Sequence, residues 1–415
     1  MKKRYPLLLL IILLFAECKT GNEIRIINLA YLYKDDTKPM IAGSRVFIEN
    51  DSTAKVFVTY NLAKLVYQRP VGKSAFFAKA RLSYQIFNNY ESNKLIDSGS
   101  LLVNDSVNYR KEKFVVFDFP VKIQQGSNHL LNLNFTDLNS ERGSSTPIEI
   151  RNNSAFSAQH FLPLDSTGTL IFQSWIRGKA NVQIQCANAS QGKLYVSYYK
   201  RSFPPALPPF SSTGTSDDIF PPDRFYTIDI VDGMTGPISF SGKGIYFFRN
   251  DSTANEGFTL LKFDDEYPEM SRPEQMVFPL RYLCSNTEFE KITRSKNPEW
   301  AINDFWYEAG GIDERATELQ KEYFNRIVEA NRYFTSYKEG WKTDRGMIYA
   351  VFGKPTIVYR RTGLETWIYS RQGDRVSLNF DFYQVENPFT NTDYKLKRLP
   401  EYKTPWFLAV DYWRH

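Results

Sequence analysis

Two carboxylates and a guanidinium stand among clustered glycines and tryptophans in the last quarter of the chain. Asp344 and Arg345 lie in Gly340-Trp341-Lys342-Thr343-Asp344-Arg345-Gly346, and Glu365 opens Glu365-Thr366-Trp367-Ile368-Tyr369. Two carboxylates beside an arginine can divide general acid and general base work, as a hydrolase requires. The same residues also have a cheaper use. Gly340 and Gly346 suit turn dihedrals. Thr343 and Asp344 can accept hydrogen bonds from nearby backbone N–H groups, and Arg345 can neutralise Asp344, Glu365 or a helix C-terminus. Trp341 and Trp367 offer broad apolar faces that fasten a helix to a sheet. A structural role is the expectation, with a hydrolase using Asp344 and Glu365 as the alternative.

Other chemistry has little to work with. The three histidines, His129, His160 and His415, lie in no Cys/His/Asp/Glu cluster with ligand spacing, so neither a metal nor a cofactor is expected. No Gly-x-Ser-x-Gly, His-Glu-x-x-His or phosphate-cradling glycine loop is present. Asp35-Asp36 and Asp264-Asp265-Glu266 read as solvated turns. The formal charge of +6 includes +2 from the first seventeen residues, which leaves a weak field on the rest. No basic run is interleaved with aromatics, so nucleic acid is excluded as a partner.

The elements that must position these residues are helical before the motif and extended after it. Asn297-Pro298-Glu299 carries an N-cap, a proline for the first helical position and a first-turn acid. Thr287-Glu288 is a second cap-like start. From Arg315 to Tyr333, Ala316, Leu319, Tyr323, Phe324, Ile327 and Val328 recur at helical spacing, which predicts an amphipathic helix of about five turns. Met347 to Phe352 reads as an apolar strand ending at Gly353-Lys354-Pro355. Glu365 to Tyr369 forms a second strand, and Val376, Leu378, Phe380 and Phe382 alternate with polar residues in a third. The aromatic tail, Pro405 to Trp413, is expected to pack back on this α+β domain, placed at residues 268–415.

The chain before it reads as β structure. Aromatics make up 16% of the 415 residues, and aromatic side chains favour pleated, half-buried surfaces. Period-two runs recur between polar turns, beginning with Ile24 to Tyr33. Two immunoglobulin-like β-sandwich modules are expected, at 18–153 and 154–267. The fold class is thus mainly β with a C-terminal α+β domain of helices packed on a small antiparallel sheet. Phe203-Pro204-Pro205-Ala206-Leu207-Pro208-Pro209-Phe210 reads as a long exposed loop, either a stiff cover for a sheet edge or a polyproline II ligand. Asn-Asp-Ser-Thr-Ala occurs at 50–54 and again at 250–254, the same turn chemistry chosen twice. Cys186 and Cys284 are expected as two isolated thiols.

Lys2-Lys3-Arg4 followed by the apolar run Leu7 to Ala16 is a signal-peptide pattern over residues 1–17, too short for the ~20 residues of a membrane-spanning helix. Leu14-Phe15-Ala16-Glu17-Cys18 resembles a lipobox, with Cys18 as the lipidation site and Glu17 where a small residue is usual.

The whole motif region resembles the GWxTD-domain-containing family. Gly340, Trp341, Thr343, Asp344, Arg345 and Gly346 carry the likeness, with Gly353, Pro355, Glu365, Trp367 and Tyr369 behind them. Asp304-Phe305-Trp306 and the helix through Ala330-Asn331 also match. The resemblance implies an exported, Bacteroidota-type lipoprotein and brings no catalytic residues. The expectation is a non-catalytic interaction or scaffold protein, exported and held on a membrane, the outer one, by its lipid. Its partners would be that membrane and other envelope proteins. Glycan or peptide binding is the alternative.

Overall fold

The computed structural model describes residues 28–33, 41–107, 114–187, 189–212, 220–311, 313–370 and 377–414. Cys18, the signal-like segment, the Lys34-Asp35-Asp36 turn, Val376 and His415 lie outside the described residues.

Seven strands follow the N-terminal segment: β1 (Ile41–Asn50), β2 (Thr53–Asn61), β3 (Phe76–Phe87), β4 (Leu95–Val107), β5 (Phe114–Lys122), β6 (Ser127–Asp137) and β7 (Gly143–Asn152). They form two antiparallel sheets, ordered β1-β2-β5 and β4-β3-β6-β7. Side chains alternate across a strand, so Ala54, Val56, Val58 and Tyr60 of β2 all point inward. They meet Ala80 and Leu82 of β3 and Leu131, Leu133 and Phe135 of β6 in one core. Tyr60 stacks on Phe135 with ring centroids 3.8 Å apart.

Nine further strands are β8 (Phe161–Asp165), β9 (Trp175–Ile176), β10 (Asn181–Cys186), β11 (Gln191–Tyr199), β12 (Arg224–Val231), β13 (Met234–Thr235), β14 (Ile238–Ser239), β15 (Gly244–Arg249) and β16 (Phe258–Lys262). They are joined by one continuous ladder, not by two separate sheets. The ladder curls on itself: Phe161 of β8 stacks on Phe258 of β16, 6.1 Å between centroids. β15 and β16 are buried on both faces. Tyr246, Phe248 and Leu260 fill the inside of the curl. Ile245, Phe247 and Leu261 face outward onto Tyr337 and Phe389 of the C-terminal part.

The repeated pentapeptide serves local turns, as expected. Asn50 Oδ1 accepts from Ser52 N (3.0 Å) in the first copy, whereas Asp251 Oδ1 accepts from Thr253 N (2.7 Å) in the second.

The C-terminal part comprises α1 (Pro273–Met276), α2 (Asn286–Thr293), α3 (Pro298–Gly310), α4 (Asp313–Phe334) and α5 (Asp344–Phe352). The antiparallel meander β17 (Ile357–Arg361), β18 (Leu364–Tyr369), β19 (Leu378–Gln384) and β20 (Tyr394–Leu396) follows, and α6 (Lys403–Tyr412) closes it. Asn297 caps α3 through Trp300 N (3.0 Å), as its sequence predicts. The start of α2 is capped two residues earlier than Thr287, by Ser285, whose hydroxyl accepts from Glu288 N (3.3 Å). The aromatic tail packs back: Trp406 and Trp413 are buried, and Trp413 Nε1 donates to Val351 O (3.0 Å). No helix among the described residues is long and apolar enough to cross a membrane.

Three expectations are corrected. Residues 347–352 are helical, not extended. Met347, Ile348, Tyr349, Ala350 and Val351 are all buried, and an apolar run buried on every side has no period to separate helix from strand. Ala30–Tyr33 forms a 3-10 turn where a strand was expected. The proline-rich segment is not an exposed loop. Phe203 packs on Tyr337 at 4.9 Å, and the carbonyls of Leu207 and Pro209 accept from Arg398 Nη2 (3.2 Å) and Leu399 N (3.2 Å). Proline lacks a donor, but the carbonyls of such a segment stay available, and a neighbouring element uses them.

Because β15 belongs to the curled sheet by hydrogen bonding and to the C-terminal part by packing, Phe247→Ala should weaken both. We expect a loss of ~3–5 kcal/mol and separation of thermal unfolding into two transitions in calorimetry. A single transition at unchanged temperature would show that the two parts do not depend on this contact.

Candidate functional site

The Gly340–Gly346 segment is a corner between α4 and α5, and each residue in it has a physical task. Gly340 passes so close to α4 that a Cβ there would lie 2.1 Å from Ala330 O. A Cβ on Gly346 would lie 1.9 Å from Gly340 O. The glycines are therefore needed for close backbone approach; the turn dihedrals proposed from sequence are not the reason. Trp341 is buried and packs edge-on against Tyr282, whose hydroxyl donates to Trp341 O (2.9 Å). Thr343 is the N-cap of α5: its Oγ1 accepts from Gly346 N (3.0 Å) and donates to Gly340 O (2.7 Å). Asn331, in the last turns of α4, accepts from Trp341 N (3.1 Å) and donates to Pro268 O (3.0 Å). The corner, the long helix and the exit from β16 are thereby tied together.

The charged residues are buried in two separate sets. Asp344 sits in the first turn of α5, where the helix dipole favours an acid. Its partner is not the adjacent Arg345. Arg398 holds it with both ends of its fork, Nη2 to Oδ1 at 2.6 Å and Nη1 to Oδ2 at 3.0 Å, and Leu396 N donates to Oδ2 (2.8 Å). Arg345 turns to the other set. It donates to Thr392 O (2.7 Å), lies 4.2 Å over the Tyr394 ring and approaches Glu365 at 3.5 Å.

Glu365 has no exposed surface. Tyr33 Oη (2.6 Å) and Trp367 Nε1 (2.7 Å) donate to its Oε1, and Arg360 Nε (2.8 Å) donates to its Oε2. Burial alone would raise the pKa of this carboxyl. Arg360, Arg345 and the two neutral donors outweigh burial and hold it at about 2. The phenol of Tyr33 is pushed upward by burial and by the neighbouring carboxylate.

Such a site is poorly suited to proton transfer, since Glu365 stays ionised across the neutral range and its lone pairs are already engaged. Asp344 borders a small cavity of about 60 Å3, shared with Pro205, Tyr394 and Lys395. Gly353, at φ 78°, ends α5 in backbone that favours glycine, and its carbonyl accepts from Tyr369 Oη (2.8 Å). Pro355 is buried directly behind it. Among the described residues no group of three His, Cys, Asp or Glu could hold a metal. Cys186 and Cys284 are free thiols. His129 and His160 are buried, with neutrality favoured by burial, and serve local hydrogen bonds to Gln124 and Ser157.

Sequence reasoning missed Arg360, Arg398 and Tyr33. Two signals were available. Glu365 and Trp367, two apart on a strand, must share a face, so an acid on the tryptophan's face needs a buried partner. The two-residue turn Thr362-Gly363 sets Arg360 directly across from Glu365. Nothing local marks Arg398 or Tyr33.

The large open concavity lies elsewhere. A groove of about 2080 Å3 runs between the curled sheet and the C-terminal part, with Lys200, Arg224 and Tyr226 on one side and Phe278, Trp341 and Lys342 on the other. Several of its charges are already paired: Lys342 with Glu339 (2.8 Å), and both Lys243 and Arg272 with Asp264.

The family model of the GWxTD domain matches residues 244–415. The match starts at β15, the strand shared between the curled sheet and the C-terminal part, and runs through the corner to the end of the chain. The chain thus carries a GWxTD domain over residues 244–415. A search among curated proteins finds no match.

Two outcomes test this geometry. Gly346→Ala should cost about 3 kcal/mol or more, because backbone has to move to admit the methyl group. Equal urea midpoints for variant and parent would refute the close approach. Glu365→Gln should cost ~3–5 kcal/mol by leaving Arg345 and Arg360 buried without a carboxylate. Folding lowers the Glu365 pKa from its ordinary 4.5 to about 2. The stability this contributes is therefore complete above 4.5 and lost as the pH falls toward 2. Glu288, held at about 2 by its hydrogen bonds to Arg414, acts with the same sign. Urea titrations over this acid range should show a shallower decline for Glu365→Gln than for the parent; equal slopes would remove Glu365 as the titrating group.

Proposed function

We propose that this GWxTD-domain protein is a non-catalytic, exported lipoprotein of the Bacteroidota type, held on the outer membrane through Cys18. It acts as an interaction scaffold for other envelope proteins. The observation that carries this reading is the fate of Asp344, Arg345 and Glu365: each is buried and committed to a fixed partner. The residues best typed for chemistry are spent on holding the fold, while the accessible concavity is lined by aromatic side chains and paired charges. That lining suits another chain's side chains and backbone.

The groove also favours a second reading, binding of a peptide or glycan. Trp341, Trp367 and Trp406 cannot serve as stacking platforms for it, since all three are buried. Tyr226 and the half-exposed Phe278 are among the aromatic surfaces that remain accessible in the groove.

A photo-crosslinking residue at Tyr226, introduced in intact cells, discriminates these readings. The scaffold reading expects one discrete protein adduct, abolished by Lys200→Glu with Arg224→Glu and retained in Asp344→Asn. An adduct with a glycan or short peptide would support the second reading. Loss of the cellular phenotype in a fully folded Asp344→Asn chain, with the groove variant unaffected, would overturn both in favour of a hydrolase. Cys18→Ala should release the chain from membranes on fractionation; unchanged sedimentation with membranes would remove the lipid anchor.

A further inference from the structure

The segment Asn28–Tyr33 is folded into the C-terminal domain, although β1 of the first sandwich follows it in sequence. Leu29 N donates to Val358 O (2.8 Å), Asn28 Oδ1 accepts from Val358 N (3.0 Å), and Asn28 Nδ2 donates to Thr356 O (3.1 Å). The segment thus lies along β17, the edge strand of the meander. Leu29, Ala30 and Tyr33 are buried in the same core as Phe334, Tyr349 and Trp367. Tyr33 meets the Phe334 ring at 5.0 Å and the Trp367 ring at 5.4 Å, and its carbonyl accepts from Tyr349 Oη (3.1 Å). Its hydroxyl is one of the donors on the buried Glu365. In the other direction, Tyr31 Oη donates to Ser145 O of β7. The segment is therefore wedged between the C-terminal domain and the first sandwich, with its burial in the former.

We propose that residues 28–33 are a strap that makes the GWxTD domain the membrane-proximal unit of the molecule. The inference rests on the reading that Cys18 carries the lipid. Asn28 lies ten positions after Cys18, and an extended chain over that offset spans at most about 35 Å. Were the strap undocked, the next described element would be β1 at Ile41, and the same bound would grow to about 80 Å. The strap more than halves the tether and transfers it from the first sandwich to the edge of β17. The domain that follows last in sequence is in this way held nearest the bilayer, with its partner there a lipid surface.

The test uses the full-length lipidated chain in vesicles containing an acceptor-labelled lipid, with a donor fluorophore incorporated at Ser370. This residue adjoins the strap's docking site, since Ser370 N donates to Thr356 Oγ1 (3.3 Å). Two insertions of the same twenty Gly/Ser residues are compared, one between Cys18 and Asn28 and one between Tyr33 and Ile41; near-UV circular dichroism checks that both chains fold. A docked strap expects energy transfer from Ser370 to fall severalfold with the first insertion and to stay unchanged with the second. A disulfide formed by Asn28→Cys with Thr356→Cys, both exposed positions, should leave transfer as in the parent. Equal falls for both insertions, or failure of that disulfide to form in the vesicle-bound protein, would overturn the strap while leaving the lipid anchor standing. Absence of vesicle binding in the parent, matched by Cys18→Ala, would overturn anchor and strap together.

Discussion

A carboxylate removed from water costs several kcal/mol unless the interior supplies donors and opposite charge in its place. Glu365 is fully removed from water, and its donors and counter-charges come from four parts of the chain: Tyr33 from the N-terminal segment, Arg345 from α5 as a second positive charge, Arg360 from β17 and Trp367 from its own strand. A shift of any of these elements takes a donor or a counter-charge away from the buried carboxylate. Such a cluster is weak evidence of net stability, since an apolar core of the same shape can do as well. What it supplies here is position. It sets how the strap, the helix after the motif and the meander stand relative to one another.

The glycines of the motif impose the second constraint, and it is steric. Gly340 and Gly346 let three backbone segments approach within distances that any Cβ would forbid. Asn331 and Thr343 then satisfy the polar groups this close approach would leave stranded in the interior. Trp341 covers the corner on the groove side. The segment that looks richest in chemistry is thus rich because its backbone is crowded, and crowded buried backbone needs small residues, short hydroxyl caps and paired charges.

Elements whose signals are local were legible. The helix read at 315–333 is Asp313–Phe334, and the Asn297 cap and the alternation of Phe380 and Phe382 stand as read. Each depends on a neighbour within a few residues. The misreadings share the opposite property. Residues 347–351 are buried on all sides, so their periodicity vanishes, and the cap that makes them helical is a threonine also suited to a turn. Phe203 to Phe210 looks exposed because prolines rarely sit inside sheets, yet its carbonyls and rings are claimed by Arg398, Leu399 and Tyr337. The continuity of the curled sheet depends on the two-residue strand β13 bridging β10 and β12, too short to leave a pattern.

By itself the sequence determined the mainly β character, the helical approach to the motif, the GWxTD domain at its C-terminal end and the scarcity of catalytic residue types. These follow from composition, short-range periodicity and local caps, which act over a few residues. The tertiary structure alone decided that Asp344 belongs to Arg398, that Glu365 is shared between Arg345, Arg360 and Tyr33, and that the segment after the signal-like stretch completes the last domain. Those pairings join residues as far apart as 332 positions. A buried charge selects its partners by geometry in three dimensions, and distance along the chain carries no trace of that choice.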